Sequence, residues 1–267
     1  MKQGDGMQVG GKRLGQPRYT YIRGTNNEPK RVYFNEIDGL AIYQGDIILG
    51  PAGRMDIIRE AVDTRPAELS TRGLIIPDPN RRWPNAIVYY CIADNLPQAQ
   101  RDAVSQAMDH WQQNTKIRFQ VSQCKALVGP VWTHVNFVPG NICASDVGCQ
   151  GGIQQIHLAS GCFRGQVIHE IGHCVGLWHE QSRHDRDSHV TIDLSNVAPE
   201  NQFNFEKESD SQDFGAYDFG SIMHYGAYDF AINSNKPVIT TIPPNQPIGQ
   251  RDHLSTGDIA AVAAMYP

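Results

Sequence analysis

The sequence lacks the features that mark membrane proteins and nucleic-acid binders. No apolar run approaches the roughly 18 residues that a membrane-spanning helix needs, so no membrane segment is expected. No block of like charges accompanies the net charge of −5, which argues against nucleic-acid partners. The N-terminus, "MKQGDGMQVGGKRLGQ", lacks the apolar stretch of a secretory signal. Either a signal has been removed, or export follows another route, such as delivery as an effector.

Cysteine is absent from the first 90 residues, and no C-x-x-C pair occurs in the chain. The missing pair argues against a structural zinc site built on cysteines. The even number of cysteines predicts at least one disulfide and favours an oxidising compartment. The six cysteines of the chain are Cys91, Cys124, Cys143, Cys149, Cys162 and Cys174.

The 267 residues, 40% of them apolar, are enough for one large domain or for one domain with a smaller companion. Short apolar runs between residues 31 and 60, including 55–62, predict small strands. A connection rich in proline and arginine follows at 63–84. Periodicity then predicts strands at 85–92, 116–121, 134–139 and 151–158, with helices at 97–115 and 255–265. This order favours an α/β or α+β sheet.

Four of the ten histidines fall within residues 166–187, "QVIHEIGHCVGLWHEQSRHDRD". His169 and His173 are four residues apart, so a helix places both imidazoles on one face. Glu170 lies beside them, and H-E-x-x-H is the pattern in which two histidines bind zinc and the glutamate acts as general base. A chance helix with surface histidines is the alternative for these five residues alone.

A glycine and a third histidine extend this pattern. Gly176 can adopt a positive φ and end the helix, which lets His179 turn back toward the same metal. H-E-x-x-H-x-x-G-x-x-H is a three-histidine site that leaves a fourth position for water. Met223 in "SIMHY" fits the methionine turn expected downstream, although a methionine in a short apolar run is more often ordinary core.

"HEIGHCVGLWHEQSRHDRD" followed by "SIMHYG" resembles the astacin family of metzincin metallopeptidases, and in particular its bacterial members. The family pattern continues after the third histidine as H-E-x-x-R-x-D-R-D, which this chain matches from His179 to Asp187. The resemblance covers about residues 73–267. It implies an α+β metzincin fold with a five-stranded mixed sheet and an active-site helix, followed by a loop-rich C-terminal subdomain.

The resemblance also implies roles for the site residues. His169, His173 and His179 bind Zn²⁺, and Glu170 is the proton carrier in peptide-bond hydrolysis. Tyr225 is a fifth ligand that swings away, and its phenol can then hydrogen-bond the oxyanion.

Three further residues receive roles from the same likeness. Glu180 lies near the N-terminus that processing creates, and Asp258 belongs to the same buried network. A plain helix N-terminal acid remains the alternative for Asp258. Arg251 projects into the pocket for the residue after the scissile bond and favours Asp or Glu there, with a surface arginine as the alternative.

The first 72 residues resemble an inhibitory propeptide, and 73–267 are the catalytic domain. Astacin propeptides carry F-x-G-D, whose aspartate occupies the zinc, and this chain has Tyr-Gln-Gly-Asp ending at Asp46. A solvated Gly-Asp turn between two strands is the alternative. With no cysteine before Cys91, a thiolate switch from this segment is excluded. Arg72 suits a trypsin-like activating cut, so the intact chain is expected to be a latent zymogen.

The family likeness pairs Cys143 with Cys162. Cys91 and Cys124 can pair with each other, and Cys174 is expected as a bridge or as an inert buried thiol. The sequence thus predicts a secreted, monomeric zinc endopeptidase that acts on proteins or peptides, with neither nucleic acid nor membrane as a partner. Two alternatives remain: a binding protein that keeps the metal without the chemistry, and a hydrolase that is not a peptidase.

Overall fold

The computed structural model describes residues 15–24, 28–64, 81–122, 133–209 and 211–267. Within these ranges the chain forms eleven β-strands and four α-helices, joined by turns and short 3-10 helices. The strands are β1 (Arg18–Arg23), β2 (Pro29–Ile37), β3 (Leu40–Tyr43), β4 (Ile47–Pro51), β5 (Ile87–Ile92), β6 (Arg118–Val121), β7 (His134–Pro139), β8 (Ala144–Ser145), β9 (Ile153–Leu158), β10 (Val190–Ile192) and β11 (Ile239–Thr241). The helices are α1 (Ala52–Thr64), α2 (Gln98–Asn114), α3 (Arg164–Val175) and α4 (Thr256–Met265).

Nine of these strands form one sheet in the order β1-β2-β3-β4-β8-β9-β7-β5-β6. Its last five strands are the predicted mixed sheet: β9, β7, β5 and β6 are parallel, and β8 is antiparallel to β9. The predicted strands at 85–92, 116–121, 134–139 and 151–158 are confirmed, with small shifts at their ends. The two-residue β8 was not predicted, because so short a strand has no periodicity to read.

The first four strands and α1 form the N-terminal unit, which comprises the described residues before 65. Its strands are antiparallel neighbours, and β4 joins the larger sheet by pairing parallel with β8 at Ile47 and Ser145. The strand predicted at 55–62 is wrong, because these residues lie in α1. Met55, Ile58 and Val62 are buried while Ile57 is 63% exposed, which is the helical spacing of three and four.

Helices α2 and α3 pack against each other and build the main core. The helix predicted at 97–115 is confirmed as α2, in which Val104, Ala107, Met108 and Trp111, at helical spacing, are all buried. The Trp111 indole Nε1 donates to the backbone oxygen of Ile168 at 3.1 Å. This contact ties the middle of α3, where the histidines lie, to a buried neighbour.

The chain after α3 is loop-rich, as predicted, and its described part contains the β10–β11 pair and α4 as its only β-strands and α-helix. Helix α4 begins with a capping box, in which Ser255 and Asp258 bind each other's backbone. None of the helices in the described part of the chain is long and apolar enough to cross a membrane.

The cysteines follow the expected pattern in part. Cys143 and Cys162 form a disulfide, and Cys91 is also disulfide-bonded. Its expected partner, Cys124, lies outside the described residues, as do Arg72 and the boundary between residues 72 and 73. Cys149 and Cys174 are free and buried, so the bridge considered for Cys174 is absent and a buried thiol is found instead.

Candidate metal centre and active site

Helix α3 carries the first two histidines of the motif and ends where the sequence predicts. Gly176 caps the helix at φ 108°, in the left-handed region, and its N–H bonds the oxygens of Gly172 and His173. The chain then reverses direction, and this brings His179 back toward the helix.

The three histidines meet in a buried cluster. The rings of His169 and His179 each lie 4.7 Å from that of His173, and 5.5 Å from each other. Asp46 of the N-terminal unit lies among them, with carboxylate oxygens 3.0 Å, 3.4 Å and 3.1 Å from the Nε2 atoms of His169, His173 and His179. One donor atom from each of the four residues lies within 4.8 Å of the others.

The hydrogen bonds of these histidines prepare them for a metal. Each Nδ1 has an oxygen partner: Ile222 O at 2.8 Å for His169, Leu177 O at 2.9 Å for His173, and Gln44 Oε1 at 3.1 Å for His179. An Nδ1–H that donates leaves Nε2 with its lone pair for coordination.

Two of the inward-facing atoms support the presence of a metal. Among the described residues, His173 Nε2 and Asp46 Oδ1 are buried without a hydrogen-bond partner, which is costly unless an ion occupies the space between them. Burial lowers the pKa of His169 to about 3 and also lowers the pKa of His179, so both imidazoles are neutral ligands. Three nitrogens and one carboxylate oxygen are donors that suit tetrahedral zinc. The site therefore fits Zn²⁺, the predicted cofactor.

Glu170 lies beside this cluster with 1% of its surface exposed. Its Oε2 atom has no hydrogen-bond partner among the described residues. Burial, with the added charge of Asp46, raises the pKa of Glu170 well above its usual value. A carboxyl group that takes up a proton readily in this position suits the predicted general base.

The turn at 221–225 packs against α3 and the segment that follows His179. Ile222 O is the partner of His169 Nδ1, and Met223 O accepts from the Glu180 N–H. A Cβ added at Gly172 would lie only 2.6 Å from the Met223 sulfur, so this glycine lets the turn pack directly under α3. Met223 thus lies where the methionine turn was predicted.

Tyr225 follows in the same turn and is fully buried. Its ring lies 4.7 Å from that of His179. Its hydroxyl donates a short hydrogen bond to the backbone carbonyl of Gln44. The Tyr225 phenol therefore donates to a peptide carbonyl of the N-terminal unit, an arrangement related to the predicted oxyanion contact. The role of Tyr225 as a metal ligand stays a prediction.

The N-terminal unit enters the site through residues 44–46, the turn between β3 and β4. Asp46 O accepts from Ser145 N of β8 at 2.9 Å. Gly45 has φ 83°, and a Cβ there would lie 2.9 Å from the Phe230 ring. The glycine before the aspartate is therefore required by both backbone conformation and space.

Glu180 and Asp258 both accept hydrogen bonds from the segment at 218–222, and the role of Glu180 near a processed N-terminus stays a prediction. Glu180 Oε1 accepts from the Asp218 N–H at 2.7 Å, and burial raises the pKa of Glu180 to about 8. Asp258 accepts from Ser221 Oγ at 2.6 Å and from Ile222 N at 2.9 Å. Asp258 is therefore both a helix-capping acid and a support of the turn at 221–225, which combines the two alternatives that the sequence left open.

Arg251 lies against the same turn. Its Nη1 donates to His224 O at 3.0 Å and to Gln250 O at 2.9 Å. Burial raises the pKa of Glu170 and of Asp229, and the nearby Arg251 charge opposes that rise. Arg251 is thus half-buried beside the site, and its role in binding the residue after the scissile bond stays a prediction.

Three further residues of the site were not predicted. Gln44 binds His179, Gln181 Oε1 accepts from Tyr225 N at 2.9 Å, and Glu208 binds Tyr43 of the N-terminal unit. Gln44 and Gln181 stand next to predicted residues, in Y-Q-G-D and H-E-Q-S, which is the only signal that the sequence offers for them. Glu208 has no such signal.

Comparisons with known proteins agree with this geometry. Residues 75–267 match the family model described as Astacin, a peptidase family. Protein SpAN of Strongylocentrotus purpuratus is 36% identical over 260 residues, covering 94% of this chain and 41% of that protein. Human Tolloid-like protein 1 is 38% identical over 199 residues, covering 70% of this chain and 19% of that protein.

A solved structure supports the same fold. High choriolytic enzyme 1, a hatching enzyme zinc-protease from Oryzias latipes, superposes with a TM-score of 0.63 at 32% identity, covering 70% of this chain and 92% of that chain. The predicted α+β class is thereby confirmed. This chain spans well under half the length of SpAN and of Blastula protease 10 of Paracentrotus lividus, 41% and 38% respectively.

Proposed function

Since this chain belongs to the astacin family of peptidases, we propose that it is a zinc-dependent endopeptidase made in a latent form. Its C-terminal unit, here the described residues from 81 onward, lies within the match to this family at residues 75–267 and is a zinc metalloendopeptidase domain. The substrates are proteins or peptides. The proposed latency comes from the N-terminal unit, whose Asp46 closes the metal site.

The chemistry divides between the metal and the chain. Zinc, when bound, polarises the scissile carbonyl and activates a water molecule. Glu170 accepts a proton from that water at its unpartnered Oε2 and passes the proton to the departing amine. Tyr225 donates from its hydroxyl to the carbonyl oxygen on which charge develops. His169 and His173 hold their orientation through Nδ1 contacts with Ile222 O and Leu177 O, which remain after the N-terminal unit has left.

The observation that carries the proposed latency is the position of Asp46. Its side chain is fully buried between three imidazoles, and its backbone is bound to β8. A substrate carbonyl cannot reach the metal while this carboxylate is there. The Gln44 carbonyl also accepts the hydrogen bond of the Tyr225 hydroxyl, so residues on either side of Gly45 block two parts of the catalytic apparatus.

Finer features of the proposal concern activation and specificity. A trypsin-like cut near Arg72 would release the N-terminal unit, and the new N-terminus would lie close to Glu180. Arg251 would favour Asp or Glu after the scissile bond, because its guanidinium can bind a carboxylate. The disulfide between Cys143 and Cys162 supports an extracellular location. The monomeric state and the special likeness to bacterial members remain predictions.

The proposal is tested by comparing intact and cut protein on a peptide library. The cut form should cleave internal peptide bonds, the intact form should be nearly inactive, and Glu170→Ala should abolish cleavage in the cut form. Full activity of the intact chain would contradict the latency. No cleavage by either form would favour a binding protein that keeps the metal without the chemistry.

A further inference from the structure

A chain of polar contacts leads from the metal site to a carboxylate that no role has yet explained. Gln44 Oε1 lies 3.1 Å from His179 Nδ1, and Gln44 Nε2 donates to the Tyr43 hydroxyl at 3.0 Å. The Tyr43 hydroxyl donates in turn to Glu208 Oε2 at 3.1 Å. The side chains of Tyr43 and Gln44 therefore fill the space between His179 and Glu208.

Glu208 belongs to the C-terminal unit and is completely buried in the latent form. Its backbone N–H donates to Ser182 O at 2.7 Å, which fixes it to the segment just after His179. Lys30 of β2 forms an ion pair with Glu208 Oε1. The two carboxylate oxygens thus face a cation and a hydroxyl, both supplied by the N-terminal unit.

A buried carboxylate requires a compensating charge or hydrogen bonds, because removing it from water is unfavourable. Lys30 and Tyr43 supply part of that compensation only while the N-terminal unit is in place. Their departure on activation opens the space beside Glu208 along the path that leads to the metal site. A peptide bound there would meet a carboxylate that had held an ammonium group.

We propose that Glu208 forms a substrate subsite of the activated enzyme, which binds a lysine or arginine side chain in the position that Lys30 leaves. The inference rests on the proposed function and adds a second specificity to it. Tyr43 precedes the metal-facing Asp46 by three residues, across the turn at 44–46. Three residues span at most roughly 10 Å even when fully extended, so the subsite is expected within about three positions of the scissile bond. Together with Arg251, it would select peptides that carry an acidic and a basic side chain at separate positions.

The test is a positional scan with the full chain after activation by a limited proteolytic cut. Peptides carry Lys or Met in turn at each of three positions on either side of the cleaved bond, and kcat/KM is measured for each. We expect about a tenfold preference for Lys over Met at one position, the scale of a charge-assisted hydrogen bond. Glu208→Gln should bring that ratio close to one, and Glu208→Ala is a second variant with the same expectation.

Glu206→Gln is the matched control, since Glu206 is an exposed carboxylate two residues away on the same segment. It should keep the wild-type ratio. A wild-type enzyme with no preference for Lys at any position would overturn the inference, as would a preference that survives in both Glu208 variants.

A binding measurement separates this inference from the proposed function. The dissociation constants of the Lys and Met peptides are measured with Glu170→Ala protein, with and without Glu208→Gln. If the wild-type enzyme cleaves nothing, the proposed function fails, yet tighter binding of the Lys peptide that depends on Glu208 still supports the subsite. Equal binding of the two peptides overturns it.

Discussion

Gln44 of the N-terminal unit contacts His179, with its side-chain oxygen 3.1 Å from the imidazole Nδ1. The other two histidines receive their Nδ1 partners from backbone oxygens of the C-terminal unit, Ile222 and Leu177. The N-terminal unit therefore takes part in the metal centre twice, once through Asp46 and once through the orientation of the third ligand. We therefore expect the proposed latent form to hold the metal more completely than the cut form.

Replacing Gln44 by alanine should weaken zinc binding in the intact chain. The loss of an outer hydrogen bond to a metal-binding histidine typically lowers metal affinity by about 10–100-fold. The measurement is competition with a chelator of known affinity. Gln98→Ala is the control, because Gln98 is exposed on α2 and its amide donates to Asp102 of the same helix. An unchanged zinc affinity in Gln44→Ala would show that His179 needs no such partner.

Replacing Asp46 by alanine should activate the intact chain without any cut. The substitution removes the carboxylate from the three histidines, although Gln44 still engages Tyr225, so we expect partial activity, about tenfold or more above the intact wild type. Peptide cleavage by uncut protein is the readout, with the absence of a cut checked by mass spectrometry. Asp63→Asn, on the exposed end of α1, should stay latent. Continued latency of Asp46→Ala would assign the block to the surrounding chain instead.

Gly172 should tolerate no side chain. A Cβ there would lie 2.6 Å from the Met223 sulfur, and overpacking of this kind costs about 1–3 kcal/mol. Gly172→Ala should therefore lower the melting temperature measured by calorimetry. The matched control is Gly53→Ala, because Gly53 is also helical and has nothing within 4 Å of its Cβ position. That variant should be stabilised by about 0.5–1 kcal/mol, and an equal response in both variants would contradict the packing argument.

The site could be predicted from the sequence where its residues are close along the chain. The spacing of His169, His173 and Gly176 follows from helix geometry, and the capped helix is as predicted. Gln44 and Glu208 could not be found in this way, because their contacts join residues separated by 135 and 165 positions. The helix at 55–62 was missed for another reason: in a short apolar window, helical and strand periodicities are hard to distinguish.

Cys149 and Cys174 should be unreactive in the folded protein. Burial raises the pKa of both thiols, for Cys174 well above its usual value, and the neutral thiol is a poor nucleophile. At about pH 8, near the ordinary pKa of a free thiol, a thiol reagent should label neither residue until denaturant is added, after which both should react. Peptide mapping identifies the labelled sites, with the disulfide-bonded Cys143 and Cys162 as unlabelled internal controls. Labelling of Cys174 in native protein would show that the end of α3 opens readily.

Arg251 should determine the preference for an acidic residue after the scissile bond. Its Nη1 is held by His224 O and Gln250 O, so the guanidinium is fixed in place and its charge acts on Glu170 against the larger effect of burial on the pKa of that carboxyl. A fixed guanidinium can bind a substrate carboxylate with little loss of side-chain freedom. In the activated enzyme, Arg251→Ala should lower kcat/KM for peptides with Asp or Glu at that position about tenfold or more relative to peptides with Ala there.

Arg118→Ala is the control for charge alone, because Arg118 is an exposed arginine on β6 whose guanidinium donates to backbone oxygens. It should leave the ratio of acidic to neutral substrates unchanged. Arg251→Lys keeps the charge but loses the planar guanidinium, which can bind a carboxylate through two hydrogen bonds. This variant should therefore keep only part of the preference for acidic residues that Arg251→Ala loses. If the wild-type enzyme shows no preference for Asp or Glu after the scissile bond, the Arg251 charge stabilises the buried carboxylates of the site and does not bind the substrate.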